Sequence, residues 1–193
     1  MKQLILASAS PRRQAFMATL GVDFAVFSPD IDETPLEHEP PADLVRRLSQ
    51  LKAGAAAGAR AGSVVVAADT VVVLDGEILG KPRDREDAFR MLKKLSGRTH
   101  EVITGFTVQE GARRVTECVR TEVTFAALDD ELIRAYVACG ESDDKSGSYA
   151  VQGLAAMFVL SVNGSVSSVV GLPICQVRQI LERFGIRARP AGA

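Results

Sequence analysis

Two adjacent arginines, Arg12 and Arg13, follow the turn Ser8-Ala9-Ser10-Pro11 near the start of the chain. Ser10 is a good helix N-cap and Pro11 a good first helical residue, because proline lacks the N–H that would have no partner there. Guanidiniums at the positive end of a helix dipole are disfavoured unless an anion meets both them and the free backbone N–H groups. Phosphate, which a guanidinium fork grips bidentately, is the natural partner; solvation or pairing with Asp23 is the alternative. Further along, Asp69 stands inside the apolar run from Val64 to Leu74. Carboxylates are depleted in strands and costly to bury alone, so Asp69 needs a cation, a metal or a raised pKa, unless the strand breaks and solvates it. With Glu33, Lys52, Lys81 and Lys145 these residues make a set of opposite charges suited to phosphoryl chemistry, where catalysis is mostly positioning and charge neutralisation. Carboxylates can hold Mg²⁺, and one can take a proton from an attacking water.

Other chemistries lack their parts. The stretch Gly76-Glu77-Ile78-Leu79-Gly80-Lys81 is one residue short of a phosphate-binding loop and runs into Pro82 where a helix should begin. There is no HExxH helix, no Gly-x-Ser-x-Gly elbow, and no Ser-His or Cys-His pair in evidence. His38 and His100 are the only histidines and neither is near a cysteine, which argues against a structural zinc.

The elements that must position these residues alternate between strand and helix. Residues 4–7 read as a strand feeding a helix from Pro11 to about Leu20, which Gly21 stops. A second strand at 24–27 leads into an acidic, proline-bounded loop over 28–35 that contains Asp32 and Glu33. The helix from about Pro41 to Arg60 places Leu44, Leu48, Leu51 and Ala55 on one face. Lys52 falls on that face, so its ammonium is led to the interior or a cleft rim, or snorkels to water. Residues 63–74 give the longest strand, folded back by Asp75-Gly76. Asp84 caps a helix with Ala88, Met91, Leu92 and Leu95 inward. A hairpin over 99–109 and 114–126 turns at Gly111, and a helix follows over 129–138. The polar, glycine-punctuated segment 143–153 reads as a functional loop or a plain connection. A strand pair near 156–162 and 165–170 then leads to a helix with Ile174, Val177, Ile180, Leu181 and Phe184 inward, and the tail 187–193 is expected to fray.

The chain has 193 residues, 47% of them hydrophobic and 24% charged, enough for one packed domain or two intimate lobes without staples. With 23 basic and 24 acidic residues there is no global field for duplex nucleic acid, and aromatics at 5% offer no stacking platform. No apolar run reaches about 18 residues, and the start is too short for a secretion signal, so no membrane partner and a cytoplasmic location are expected. Cys118, Cys139 and Cys175 are odd in number and set in apolar sequence, which predicts reduced, buried thiols.

Ser8-Ala9-Ser10-Pro11-Arg12-Arg13, Glu33, Leu51-Lys52-Ala53, Ala68-Asp69-Thr70-Val71, Leu74-Asp75-Gly76, Gly80-Lys81-Pro82, Leu95-Ser96-Gly97-Arg98, the stretch from Asp144 to Tyr149, Gln152-Gly153 and Val170-Gly171-Leu172-Pro173 form an ordered series. In order and spacing it resembles the Maf nucleotide pyrophosphatase family, over about residues 4–186. The resemblance implies a single α/β domain over 1–193, with a mixed, strongly bent sheet flanked by helices and a cleft between two lobes, akin to the inosine triphosphate pyrophosphatases. It implies hydrolysis of a nucleoside triphosphate between the α and β phosphates, with Mg²⁺ or Mn²⁺. Asp69 falls at the family's proton acceptor, and Arg13, Glu33, Lys52 and Lys81 at its phosphate and metal cluster; Glu33 and Asp69 are the candidate metal ligands, with a further acid such as Asp32 as the alternative. Arg12, Thr70 and Gln152 fall where the family tunes base choice; Ser8, Ser10 and Lys145 complete the substrate-binding set. Members acting on 7-methyl-GTP tend to carry a bulky aromatic in place of the first arginine and lack the Asp-Thr pair, so Arg12 and Thr70 make this chain similar to the dTTP/UTP branch. Ser146, Ser148, Ala150 and Val151 depart from the usual loop; a glycine used at 150 for a positive φ would leave Ala150 strained. A homodimer is also implied. The alternatives are a nucleotide-sensing or division-regulating binding protein without turnover, and a pyrophosphatase acting on 7-methyl-GTP.

Overall fold

The computed structural model describes residues 2–189. In chain order the elements are β1 (Leu4–Leu6), α1 (Pro11–Ala18), β2 (Ala25–Val26), α2 (Pro41–Ala59), β3 (Val64–Leu74), β4 (Glu77–Leu79), α3 (Arg85–Leu95), β5 (Thr99–Glu110), β6 (Arg113–Phe125), α4 (Asp130–Ala138), β7 (Val159–Asn163), α5 (Val166–Val170) and α6 (Ile174–Arg183), with 3₁₀ turns at Ser146–Ser148 and Leu154–Phe158. The strands form one mixed sheet of order β2-β1-β3-β5-β6-β7, with β4 antiparallel on β3. Strand β1 runs parallel to both β2 and β3, while β6 and β7 pair antiparallel. The chain divides into two compact units: residues up to Asp69 with Thr104–Val119 and those from Gly171 on, and Thr70–Ile103 with Arg120–Val170.

In the first unit, β1 and the start of β3 are buried on both faces, which is why they read as unbroken apolar runs. Leu4, Leu6, Val64, Val66 and Ala68 pack with Met17, Val177, Ile180 and Leu181 from α1 and α6. On the opposite face Ile5, Ala7, Val65 and Ala67 meet Ala53 and Ala56 of α2. The buried stripe of α2 is therefore Leu44, Val45, Leu48, Ser49, Lys52, Ala53 and Ala56, while Leu51 is 45% exposed and Ala55 lies outside. The expected Leu44-Leu48-Leu51-Ala55 face is thus rotated, because small residues let the helix axis come close to the sheet. The approach is closest at Gly105 of β5, where a Cβ would lie 2.5 Å from the Val45 carbonyl carbon and oxygen.

The second unit packs α3 and α4 around Val72, Leu74, Val102, Val123, Phe125 and Phe158. Asp84 caps α3 by accepting from the Asp87 N–H at 2.7 Å, and Asp129 caps α4 by accepting from the Leu132 N–H at 2.8 Å. The Asp75-Gly76 turn, with φ of 51° and 82°, is held by Arg98, which donates to both Asp75 carboxylate oxygens at 2.7 and 2.6 Å. His100 is buried edge-on to Phe125 and Tyr149, its Nε2 2.8 Å from the Tyr149 hydroxyl. Burial lowers its pKa from 6.5 to about 4. The unfolded chain therefore takes up a proton between those two values that the folded protein refuses, so the stability contributed is complete above pH 6.5 and is lost as pH falls towards about 4. Replacing His100 with Gln is expected to remove a pH-dependent loss on the order of 3 kcal/mol. Melting curves of both proteins across that window check it, and parallel pH slopes would contradict it.

Three expectations are corrected. Val166–Val170, rich in β-branched residues, is helical: the chain turns at Gly164 (φ 132°), Ser165 Oγ accepts from the Ser168 N–H at 3.2 Å, and Thr121 Oγ1 accepts from the Ser165 N–H at 3.0 Å. Local side-chain capping here overrides strand propensity. Cys118, Cys139 and Cys175 form no disulfide, but Cys139 and Cys175 are exposed and Cys118 is only partly covered. The tail is tied down as far as Arg189, whose N–H donates to the Leu20 carbonyl at 2.7 Å; residues 190–193 lie outside the described residues. Among the described residues, no helix is long and apolar enough to cross a membrane.

Candidate active site

Side-chain parity along β3 decides the first contact. Val65, Ala67 and Asp69 share one face of the strand, and that face looks onto α2. Lys52 stands one helical turn before Ala56 on the same stripe, so the two charges meet: Lys52 Nζ lies 2.6 Å from Asp69 Oδ1 and 2.8 Å from Glu33 Oε1. The side chains of Lys52 and Asp69 are only 10% and 11% exposed, against 55% for Glu33. Asp69 is therefore a strand residue with a buried cationic partner, and Lys52 does not snorkel to water.

Glu33 comes from the acidic loop, and Arg47 and Glu39, both outside the expected set, shape that loop together with Asp32. Arg47 of α2 donates from Nε and Nη2 to the two Glu39 oxygens at 2.6 and 2.7 Å, and from Nη2 to the Thr34 carbonyl at 3.1 Å. The Glu39 hydrogen bonds raise the Arg47 pKa, and the Arg47 bond lowers that of Glu39. Asp32 Oδ1 accepts from the Thr34 N–H at 2.9 Å, forming a local turn next to Glu33; the Thr34 side chain first, and this N–H second, pull the Asp32 pKa down. The i+8 separation of Glu39 and Arg47, across a loop–helix junction, carries no periodic signal by which sequence could have paired them.

Arg13 completes the cluster. Its Nε donates to the Gly171 carbonyl at 2.8 Å and its Nη1 to Ser8 Oγ at 3.3 Å, so the guanidinium is anchored by the first turn and by Gly171. Desolvation lowers its pKa, Arg12 adds to that, and the Asp69 and Glu33 carboxylates act in the opposite sense. Ser8 Oγ also accepts from the Ser10 N–H at 3.2 Å, and Ser10 caps α1 by accepting from the Arg13 N–H at 3.5 Å. In the first unit Lys52 thus joins Glu33 and Asp69, and Arg13 lies within electrostatic reach of both carboxylates and of Arg12 and is tied to Ser8 and Ser10.

The second unit gathers Thr70, Lys81 and Lys145. The Gly147 N–H donates to the Gly80 carbonyl at 3.1 Å, which seats the loop beside Lys81, and Ser146 Oγ donates to the Thr70 carbonyl at 3.4 Å. Lys81 is exposed, while Lys145 Nζ is engaged within its own loop, 2.6 Å from the Glu141 carbonyl and 2.5 Å from Asp144 Oδ1. Ala150 is not among the positive-φ residues described; the left-handed pair is Gly147 (φ 69°) and Ser148 (φ 62°). Ser148 is fully buried with its Oγ 3.2 Å from Met91 Sδ, so a serine side chain carries the left-handed conformation that glycine adopts more readily. Gln152 is exposed in the turn closed by the Gly153 N–H to the Ala150 carbonyl at 2.9 Å. Glu141 is a further residue that sequence reasoning passed over. Burial works against its ionisation, but hydrogen bonds from the Leu154 N–H, the Tyr136 hydroxyl and the Ala155 N–H outweigh that and leave its pKa lowered.

Among the described residues no group of three or more His, Cys, Asp or Glu side chains could form a cage for a metal ion. Glu33 and Asp69 nevertheless converge on one ammonium, that of Lys52. Two hard oxygen donors, with the remaining positions left to phosphate oxygens and water, fit the way Mg²⁺ is held.

The chain resembles known proteins in sequence and in fold. A family model described as Maf-like protein matches residues 3–184. A dTTP/UTP pyrophosphatase of Geobacter sp. (strain M21) is 51% identical over 184 residues, covering 94% of this chain and 95% of that protein. A dTTP/UTP pyrophosphatase of Symbiobacterium thermophilum is 45% identical over 193 residues, the full length of both. Among solved structures, a HAM1 protein from Coxiella burnetii superposes with a TM-score of 0.56 at 16% identity, over 95% of this chain and all of that one, which supports the mixed α/β fold. With a family model spanning nearly its whole length and relatives at half identity from end to end, this chain belongs to the Maf family.

Proposed function

We propose that this protein is a dTTP/UTP pyrophosphatase, a hydrolase of nucleotide metabolism that converts these triphosphates to the monophosphate and pyrophosphate. The observation that carries the reading is the buried Lys52 ammonium bridging Asp69 and Glu33 beside Arg13, in a chain 51% identical to a named dTTP/UTP pyrophosphatase. Arg13 and Lys52 bind the oxygens of the polyphosphate and orient the α phosphorus. Asp69 accepts a proton from the attacking water as the new oxygen–phosphorus bond forms and the bond from Pα to the bridging oxygen breaks. Ser8 and Ser10 hold the first turn in shape for the anion. Glu33 and Asp69 would hold a divalent cation, Mg²⁺ or Mn²⁺, which when bound supplies neutralisation of the departing pyrophosphate. Lys81 and Lys145 are read as phosphate- and substrate-binding residues, and Thr70, Gln152 and Arg12 as the residues that set base preference. The same reading carries a single functional domain, a homodimer and, given cysteines that form no disulfide, a reducing cytoplasmic location.

Pyrophosphate release over a panel of nucleoside triphosphates, with and without divalent cation, tests the proposal. UTP and dTTP are expected to lead the panel; binding of UTP with no turnover would leave a sensor instead of an enzyme. Arg12→Ala is expected to reduce the preference for UTP over GTP about tenfold, as loss of a charge-assisted contact does. Equal preference in wild type and variant would remove Arg12 from base selection.

A further inference from the structure

Gln152 has a turn to sit in, and that turn has an anchor. Glu141 follows α4, and its carboxylate accepts from the Leu154 N–H at 3.0 Å on Oε2, and from the Ala155 N–H at 3.3 Å and the Tyr136 hydroxyl at 2.8 Å on Oε1. The Tyr136 oxygen in turn accepts from the Ala150 N–H at 3.3 Å. One carboxylate therefore fixes the backbone on both sides of Gln152: before it through Tyr136, and after it directly. The main-chain carbonyl of Glu141 also accepts from Lys145 Nζ at 2.6 Å. Packing is equally tight, since a Cβ at Gly153 would lie 2.0 Å from Glu141 Oε2.

We propose that Glu141 is a positioning residue that sets base preference by fixing the turn carrying Gln152; the proposal rests on the reading of Gln152 as a base-selecting residue. A glutamine at 141 is nearly isosteric but replaces one acceptor oxygen with an amide that can only donate. Either the Leu154 N–H, or the Ala155 N–H together with the Tyr136 hydroxyl, then loses its acceptor. The turn loosens while the phosphate-binding residues of the first unit keep their own contacts. The effect falls on KM and on the choice between bases more than on kcat.

The test measures kcat and KM for UTP and GTP in wild type, Glu141→Gln, Gln152→Ala and the double variant. Glu141→Gln is expected to lower the UTP-over-GTP preference about tenfold, mainly through KM. The double variant is expected to lose no more than Gln152→Ala alone, because the two residues act through one contact. Tyr136→Phe, which removes only the hydroxyl bridge to Ala150, gives the same comparison with a smaller loss and serves where Glu141→Gln does not fold. Unchanged preference in the folded variants, or additive losses in the double variant, overturns the proposal. If Gln152→Ala itself leaves preference unchanged, the reading of Gln152 fails and takes the proposal with it. If Gln152→Ala lowers preference and Glu141→Gln does not, the proposal alone falls.

Discussion

Asp69→Asn is expected to lower kcat for UTP and dTTP by about 100- to 10,000-fold, the range that a positioned general base contributes. The side chain keeps its size and can still accept one hydrogen bond from Lys52, which also retains Glu33 at 2.8 Å. The variant should therefore fold, and the loss should appear in turnover rather than in protein yield. Near-UV circular dichroism and a melting curve establish the fold; pyrophosphate release under saturating UTP establishes the loss. A folded Asp69→Asn protein with wild-type turnover would refute the base assignment, whatever else the cluster does.

Lys52→Met acts on stability and activity together. Lys52 and Asp69 are both nearly enclosed, and removing one partner of a buried ion pair leaves the other charge without compensation. That costs about 3–5 kcal/mol in comparable cases. Turnover is expected to fall about 100- to 1000-fold, as when one preorganised charge-stabilising donor is removed. The double variant Lys52→Met/Asp69→Asn separates the two effects. With both charges gone, stability should return towards wild type, because replacing both partners is close to neutral while orphaning one is not. Activity should stay lost. Urea unfolding and turnover of the three variants decide it; a double variant less stable than Lys52→Met would show that the ion pair is not what Lys52 contributes to the fold.

Much of the fold could be read from local chemistry. The both-faces-apolar pattern of β1 and β3, the Asp-Gly turn at 75–76, and the cap at Asp84 are each specified within a few residues, and each forms as expected. Where a local rule met a competing one, the reading failed. The serines around 165–168 out-competed the β propensity of Val166, Val169 and Val170, and close packing at Gly105 turned α2 so that Leu51 faces out.

For the candidate site, the sequence by itself determined which charges the chain carries and that Asp69, inside an apolar strand, required a partner. It also placed Lys52 on an inward helix face. Only the tertiary structure decided who that partner is, because parity along β3 and the rotation of α2 are joined by packing between segments that sequence spacing does not relate. The same holds for Arg47 with Glu39 and for Glu141 with Leu154: a carboxylate's hydrogen-bond partners are chosen by proximity in space, and a linear pattern encodes proximity only within a helix turn or along a strand.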